Sequence, residues 1–434
     1  MPVVEKRMKL TIICPQWPAG SFWRHFMFRF PYLSLTTLAA LTPEDVEVTI
    51  ADENIESLSF IDRPDLVAIS INTPLAKRGY EIADRFRALS VPVVLGGFHA
   101  SWMAEEAAMH ADAVVLGEAE GIWPQLIEDC RRGKLRKFYR AAGRSDLRGL
   151  PIPRRDLLKK RRYFFTNTMQ TTRGCPFHCQ FCSVTAFFGN TYRMRPLEEV
   201  KKEVEILLCD KDFIFFVDDN IIGHPGYARE LFSLLNGMKV KWVSHASIHI
   251  AEDEDLLKKA AASGCYGLFI GFESLSPKTL TAHSKTSDQV GKYKQLIRKI
   301  HDYGIGLEGS FIFGSEDDDA SVFPRVVDFC EETKIDTAFF AILTPFPGTR
   351  LYEQYARENR IFTRDWSLYD LHHVVFQPRN MTVEQLQEGH DWANRRFYSL
   401  FSMARRFWPL RRSHQVFLPS NWGIRRAWKK VLGR

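Results

Sequence analysis

Through its first third the chain alternates short apolar runs with stretches of helical periodicity. Runs at residues 9–16, 46–50, 65–71, 91–97 and 113–118 are continuously apolar or alternate with period two, and most stop at proline, glycine or an acidic residue, which predicts five strands. Residues 33–41 and 77–89 carry apolar positions at helical spacing and predict helices between them. Strands and helices that alternate in this way form a doubly wound α/β sheet, because a parallel neighbour is reached only through a crossover. Ligands of such sheets bind beyond the carboxyl ends of the strands.

A stretch rich in proline, arginine and glycine between residues 140 and 160 interrupts the pattern and predicts a linker. After it, strands are predicted at 163–172, 213–217, 240–247, 266–273, 306–313 and 337–343, at roughly the thirty-residue period of βα units. A helix at 197–208 opens on Pro196, and one at 255–262 stops before Gly264, a natural left-handed cap. The expected division is a first α/β domain at 1–142, a linker at 143–162, a second α/β domain at 163–350 and a helical extension at 351–434.

At 434 residues the chain has room for two or three domains, each with its own core. No apolar run is long enough to span a bilayer, and residues 1–15 enter the first strand without a signal-peptide core. A cytoplasmic setting is therefore expected. Charge changes the picture at one end only. From Trp392 to Arg434 there are eleven Arg or Lys and no Asp or Glu, so the net charge of +7 belongs to this tail and the rest is slightly acidic.

Of the eight cysteines, Cys14, Cys130, Cys209, Cys265 and Cys330 are scattered and read as buried apolar side chains or incidental thiols. Cys175, Cys179 and Cys182 are different, spaced Cys-x3-Cys-x2-Cys directly after a predicted strand. Iron–sulfur clusters are held by cysteine thiolates, usually four, so three thiolates leave one iron of a four-iron cube open to another ligand. A zinc site of these three cysteines with His178 is the alternative, but structural zinc sites usually pair two knuckles, and no second one exists here.

The spacing, with Phe181 just before the last cysteine, strongly resembles the radical S-adenosylmethionine (radical SAM) superfamily. That resemblance implies a 4Fe-4S cluster whose open iron chelates S-adenosylmethionine and reduces it to a 5'-deoxyadenosyl radical. It also implies an open, partial (β/α)6 TIM barrel with its chemistry at the carboxyl ends of the strands. Read in turn, those ends give Asp218 and Asp219, where the superfamily usually has Gly-Gly-Glu, then Ser247, then Glu273-Ser274, then Gly314. The implied roles are contacts to S-adenosylmethionine, with an aspartate on the methionyl ammonium and Glu273 on the ribose hydroxyls.

The first domain resembles the Rossmann-type cobalamin-binding domains fused to such barrels. The likeness rests on the Ser70 to Thr73 loop, on Gly96-Gly97 with His99, and on Gly117-Glu118. A glycine pair at a strand end admits a large flat ligand where a Cβ would collide, and it equally suits a tight turn. Thr73, Gly96, Gly97, His99 and Glu118 are the implied cobalamin contacts. Where related domains carry Asp-x-His-x-x-Gly, this chain has Cys14-Pro15-Gln16-Trp17-Pro18-Ala19-Gly20, so any cobalamin is expected without a histidine ligand from that loop.

Over residues 8–400 the domain order resembles the branch containing hopanoid methylases and bacteriochlorophyll-pathway enzymes. The implied activity is cobalamin-dependent methylation of an unactivated carbon on a hydrophobic, lipid or tetrapyrrole-like substrate, fed by a flavodoxin- or ferredoxin-type reductant. Two rivals stand beside it: a non-methylating radical rearrangement, cyclisation or C–C coupling, and an iron–sulfur electron-transfer or regulatory protein. In the tail, Trp392, Phe397, Leu400, Phe401, Phe407, Phe417, Trp422 and Trp428 lie among basic residues. This suits anionic lipid ahead of nucleic acid, and equally suits a helix packed on the barrel.

Overall fold

In the computed structural model, which describes residues 7–27, 29–285 and 289–433, the early apolar runs form strands β1 (Lys9–Cys14), β2 (Glu47–Asp52), β3 (Leu66–Ser70), β4 (Val93–Gly96) and β5 (Ala113–Leu116). A sixth strand, β6 (Phe138–Arg140), was not apparent in sequence, being three residues long inside a basic stretch. All pair in parallel in the order β2-β1-β3-β4-β5-β6. The chain reverses direction across β1, which makes the carboxyl ends of β1 and β3 a topological switch point. Strands buried on both faces must be apolar throughout, and Leu66, Val67, Ala68 and Ile69 are all buried.

This first unit comprises residues 7–24, 29–166 and Asp365–Asp370. The Pro- and Arg-rich stretch is therefore not a free tether: Leu158 and Tyr163 are buried, and the Tyr163 hydroxyl donates to Asp52 at 2.9 Å. The return of residues 365–370 has no sequence signature. It is fixed by Trp366, whose indole N–H donates to Glu106 at 2.9 Å while its ring packs edge-on against His99.

The second unit comprises Asn167–Arg364 and residues 371–433, with 25–27. Its strands are β7 (Thr168–Met169), β8 (Thr172–Arg173), β9 (Arg193–Met194), β10 (Phe213–Phe216), β11 (Lys241–Ala246), β12 (Cys265–Glu273), β13 (Gly306–Phe313) and β14 (Thr337–Ile342). Six of them form a parallel sheet in the order β14-β13-β12-β11-β10-β7, and among the described residues its edges β14 and β7 are not paired, so the barrel is open. The strand expected at 163–172 shrinks to two residues. Beyond Gln170 the chain turns so that β8 pairs antiparallel with β9, a small ribbon that brackets residues 174–192 and hence the cysteine loop.

The basic tail is built into this barrel. Arg406, 1% exposed, donates to the carbonyls of Ile335, Asp336 and Phe397 and to the Asn421 side chain. From helix His414–Val431, Phe417 fills the bottom of the barrel, where a Cβ on Gly267 or Gly306 would strike its ring. Of the tail aromatics, Phe397, Phe407, Phe417 and Trp428 are core, whereas Trp392, Phe401 and Trp422 are exposed. Among the described residues no helix is long and apolar enough to cross a membrane.

Candidate active site

The cysteine loop leaves β8 at Gly174, whose φ of +92° and contact with the Thr191 carbonyl leave no place for a side chain. Distant parts of the barrel then pin it. Gln180 N–H donates to the His283 carbonyl at 3.1 Å, Leu351 N–H donates to Gln180 at 3.2 Å, and Arg350 donates to the His178 carbonyl. Phe181 packs edge-on against His283 with ring centres 5.4 Å apart. The aromatic of the motif thus packs the loop against the barrel.

All eight cysteines are free thiols. Burial pushes Cys175, Cys179 and Cys182 up, Cys179 to about 12, and each of the three feels at least one acidic or thiol neighbour that raises it further. At Cys179 the ammonium of Lys285 opposes this. Among the described residues no three His, Cys, Asp or Glu side chains converge as ligands of one ion must, and His178 is exposed. A cube takes each thiolate on a different iron, so three soft donors spread along one loop fit a cluster and not a lone zinc.

Around the thiols the acids divide into two groups. Asp218 is fully buried, and its carboxylate accepts from the backbone N–H and hydroxyl groups of Thr171 and Thr172, two of these bonds at 3.0 Å and one at 2.6 Å. Burial pushes it up to about 6 against the pull of those bonds. It ties down the strand that enters the loop, which leaves it poorly placed to receive an ammonium. Asp219 borders the loop instead, accepting from Gly174 N–H at 2.8 Å and acting electrostatically on Cys175 and Cys182.

Glu273 lies at a β-bulge, where the β12–β13 register slips between Gly271 and Glu273, and its φ is +63°. A non-glycine residue in that region is strained, which is common at functional sites. The bulge turns its carboxylate back over Gly271, where it meets Lys285: Nζ donates to Glu273 Oε1 at 2.8 Å and to the Gly271 carbonyl at 2.6 Å. Lys285 therefore holds Glu273 and acts electrostatically on Cys179, a role no local pattern announced, since it follows a short helix in an irregular stretch. Asn220 was also missed. Its amide accepts from Ser247 N–H at 3.2 Å and hydrogen-bonds the Cys175 thiol.

The remaining expected residues are mostly positional. Ser274 is buried and its hydroxyl accepts from Ser276 N–H at 3.1 Å. Gly314, with φ +97°, donates to Asp318 at 3.1 Å and packs so close to Leu386 and Phe376 that a Cβ would not fit.

At the carboxyl end of the first sheet the glycine argument takes a different form. Gly97 has φ +99°, and a Cβ there would meet the Ile71 carbonyl at 2.7 Å, so its close approach is to the neighbouring strand end. Gly96 would make only an ordinary contact with Val115. His99 is wholly buried, 3.4 Å from Thr73 through Nδ1 and 3.4 Å from Glu106 through Nε2. Thr73 and His99 thus lie inside the unit, bonded to one another. Glu118 accepts from Ser145 N–H at 3.1 Å. The loop after β1 holds no histidine, and Gln16 and Trp17 donate to Glu53 and Asn54.

With this geometry in hand, known proteins give the family. Residues 169–329 match the Radical SAM superfamily and residues 25–127 the B12 binding domain. Over 367 residues the chain is 32% identical to a bacteriochlorophyllide d C-12(1)-methyltransferase of Chlorobaculum tepidum, spanning 82% of this chain and 80% of that one. The chain belongs to the B12-binding radical SAM methyltransferases. A hopanoid C-2 methylase of Rhodopseudomonas palustris is 26% identical, over 77% of this B12-binding radical SAM chain and 66% of its own.

Solved structures agree in fold. The cobalamin-dependent S-adenosylmethionine radical enzyme OxsB, with aqua-cobalamin bound, gives a TM-score of 0.70 at 14% identity, over 99% of this chain and 80% of that one. The radical S-adenosylmethionine methyltransferase TsrM from Kitasatospora setae gives 0.68 at 18% identity, over 81% and 76%. The cofactors of this B12-binding radical SAM methyltransferase are accordingly a 4Fe-4S cluster, S-adenosylmethionine and cobalamin.

Proposed function

We propose that this enzyme methylates an unactivated carbon of a flat, largely apolar tetrapyrrole. One observation carries the reading: the three free thiols and the Lys285–Glu273 pair sit together at the mouth of a barrel lumen lined by Phe215, His245 and Phe269. An electron-transfer protein needs no such lumen. The names of the relatives support the substrate class, since the bacteriochlorophyllide d C-12(1)- and C-8(2)-methyltransferases are 32% and 30% identical against 26% for the hopanoid C-2 methylase.

When bound, the cluster supplies the electron that splits S-adenosylmethionine, and cobalamin carries the methyl group. Cys175, Cys179 and Cys182 would hold the cluster. Asp219 would accept from the methionyl ammonium, and Glu273, held by Lys285, would accept from the ribose hydroxyls. Asp218 keeps the strand entering the loop in place, and Phe181 and Asn220 fix the loop's position.

The test is anaerobic reconstitution with iron, sulfide and hydroxocobalamin, then incubation with bacteriochlorophyllide d, S-adenosylmethionine and reduced flavodoxin or ferredoxin. About four irons and one cobalt per chain with a product heavier by one methylene is the expected result. A second reading, a radical cyclisation, is favoured by the 24% identity to an anaerobic magnesium-protoporphyrin IX monomethyl ester cyclase of Cereibacter sphaeroides. Formation of 5'-deoxyadenosine with a product that gains no carbon would select it.

For the setting, we propose contact with an anionic membrane through the exposed part of the tail. Phe401 is 66% exposed, Trp408 74% and Leu410 72%, and Arg405 lies over the Phe401 ring with its guanidinium carbon 5.7 Å from the ring centre. Aromatic and basic side chains together are suited to the lipid interface. Because Phe397, Phe407, Phe417 and Trp428 are core, point changes test this where truncation would unfold the barrel. The combined variant F401S/W408S/L410S is expected to keep its melting temperature and to sediment roughly tenfold less with phosphatidylglycerol vesicles. Undiminished sedimentation would leave these side chains as ordinary exposed residues.

A further inference from the structure

Against the cysteine loop lies a cavity of about 150 Å³. Gln180 of the loop forms one wall, and Thr279, Ala282 and His283, at the short helix Pro277–Ala282, form another. The residues that follow β13 and helix Arg350–Arg357 complete it. Among the described residues, two polar atoms of this lining have no hydrogen-bond partner, Thr279 Oγ1 and His283 Nδ1, on residues only 3% and 6% exposed. Nearly all buried polar groups in folded proteins are paired, by protein or by a bound molecule. Two orphans on one cavity therefore mark a place where a bound molecule supplies the partners.

Charge narrows what that molecule is. Asp317 accepts from Lys278 at 2.7 Å. Glu316 accepts from Arg360 at 2.5 Å and from the Tyr355 hydroxyl at 2.8 Å, and Arg379 Nε lies 2.8 Å from its other oxygen. Both carboxylates of the lining thus have their cations already, and the orphans belong to uncharged groups. Burial pushes the His283 imidazole down, against the pull of Glu273 and Glu316, so its ring is neutral. Nε2 is 3.0 Å from Ser315 Oγ, and the tautomer that donates there leaves Nδ1 as an acceptor. Nδ1 then wants an N–H, and the Thr279 hydroxyl wants a carbonyl oxygen. A primary amide carries both on one carbon, and Ala282 and Leu351 give its alkyl end apolar contact. The volume suits about six heavy atoms.

We infer that the cavity binds a small, neutral primary amide, and that the bound amide holds the cysteine loop in place. The coupling follows from shared residues. Gln180 N–H donates to the His283 carbonyl, Leu351 N–H donates to Gln180, and the His283 ring packs against Phe181, so the residues that pin the loop also line the cavity. When the loop leaves, the site comes apart. Binding therefore opposes its departure by mass action, in proportion to one plus the ratio of ligand concentration to Kd. The site takes no part in methyl transfer, so its test needs no tetrapyrrole.

Full-length, cluster- and cobalamin-reconstituted protein is titrated calorimetrically with propionamide. Saturable binding with a Kd on the order of 1 mM is expected. Propionate, propylammonium and methyl acetate, which alter the charge or remove the N–H at similar size, are each expected to bind at least about tenfold more weakly. T279V is expected to bind propionamide about fivefold more weakly. H283F, which keeps a ring against Phe181 but has no Nδ1, is expected not to bind it. With propionamide at about ten times its Kd, iron release to a ferrous chelator is expected to slow roughly tenfold.

No saturable binding would mean that the cavity holds water alone, and equal binding of the charged or N–H-free probes would mean that only size is read; either overturns the site. Competition between propionamide and S-adenosylmethionine would make the cavity part of the cofactor site and overturn it as well. Iron release that ignores propionamide at saturation overturns the coupling. T279V decides the matter even where H283F fails to fold. Its valine replaces a hydroxyl that has no protein partner, so without amide it is expected to melt at or above wild type. T279V melting well below wild type, or binding propionamide as wild type does, would make the hydroxyl no part of a ligand site.

Discussion

Replacing Cys179 by alanine is expected to abolish 5'-deoxyadenosine formation and to lower bound iron, while leaving the fold intact. Its thiol is one of three donors on the loop, and with two left the cube loses a protein ligand to one iron. The backbone bonds that pin the loop come from Gln180, Leu351 and Arg350, none of them through the Cys179 side chain. Its removal should therefore change stability by no more than about 0.5 kcal/mol. Cys209→Ser is the control, because that cysteine is exposed and far along the chain from the loop. Retained cleavage in Cys179→Ala would end the cluster assignment, and loss in both variants would point to general damage.

The second large effect is on stability. Asp336 is buried beneath the barrel, accepting from His301 at 3.0 Å and from Leu307 N–H at 2.8 Å, with His414 at 3.1 Å and Arg411 at 3.9 Å. The His414 nitrogen approaches Asp336 without hydrogen-bond alignment. Burial would raise the Asp336 carboxyl, but the hydrogen bond from His301, the close approach of His414 and the charges of His301 and Arg411 overcome it and hold it well below the usual range. Removing one partner of such a group leaves the others buried and uncompensated, at a cost of about 3–5 kcal/mol. Asp336→Ala is thus expected to lower the melting temperature by roughly 10 °C.

The same depression fixes the pH response. A carboxyl whose folded-state affinity for its proton is lowered stabilises the protein above its unfolded pKa of about 3.9 and loses that contribution as pH falls below it. Wild type and Asp336→Ala should therefore differ most near neutrality and converge in acid, read from melts taken across that range. A constant difference at every pH would mean that packing, not charge, is the source.

Much of the architecture was readable from local pattern. Strands of a parallel sheet covered on both faces have to be apolar, so β3, β4, β5 and β10 to β14 appeared as runs close to their observed bounds. The cluster motif was equally legible because its three donors lie within eight consecutive residues and need no folding to be recognised. The strand over 163–172 failed for the converse reason: what ends it is an antiparallel pairing with Arg193–Met194, which leaves no mark near Thr172.

The candidate site was legible only to the level of which strand ends face it. Asp218 and Asp219 are adjacent and chemically alike, yet the threonines at 171 and 172 consume one and the cysteine loop borders the other. Gly97 was noticed for the right property and the wrong neighbour, since the backbone it admits is that of Ile71. Lys285 had no pattern to betray it, being defined by its bonds to Glu273 and Gly271.

The sequence by itself determined the two α/β units, the thiolate triad and the basic character of the tail, because strand burial, ligand spacing and charge are properties of neighbouring residues. Only the tertiary structure decided that Phe417 closes the barrel, that Arg406 is a buried donor to three carbonyls, and that Glu308 faces the lumen rather than the helices. A period of two shows that alternate residues point to opposite sides; which side is the cavity is set by elements that arrive more than a hundred residues later.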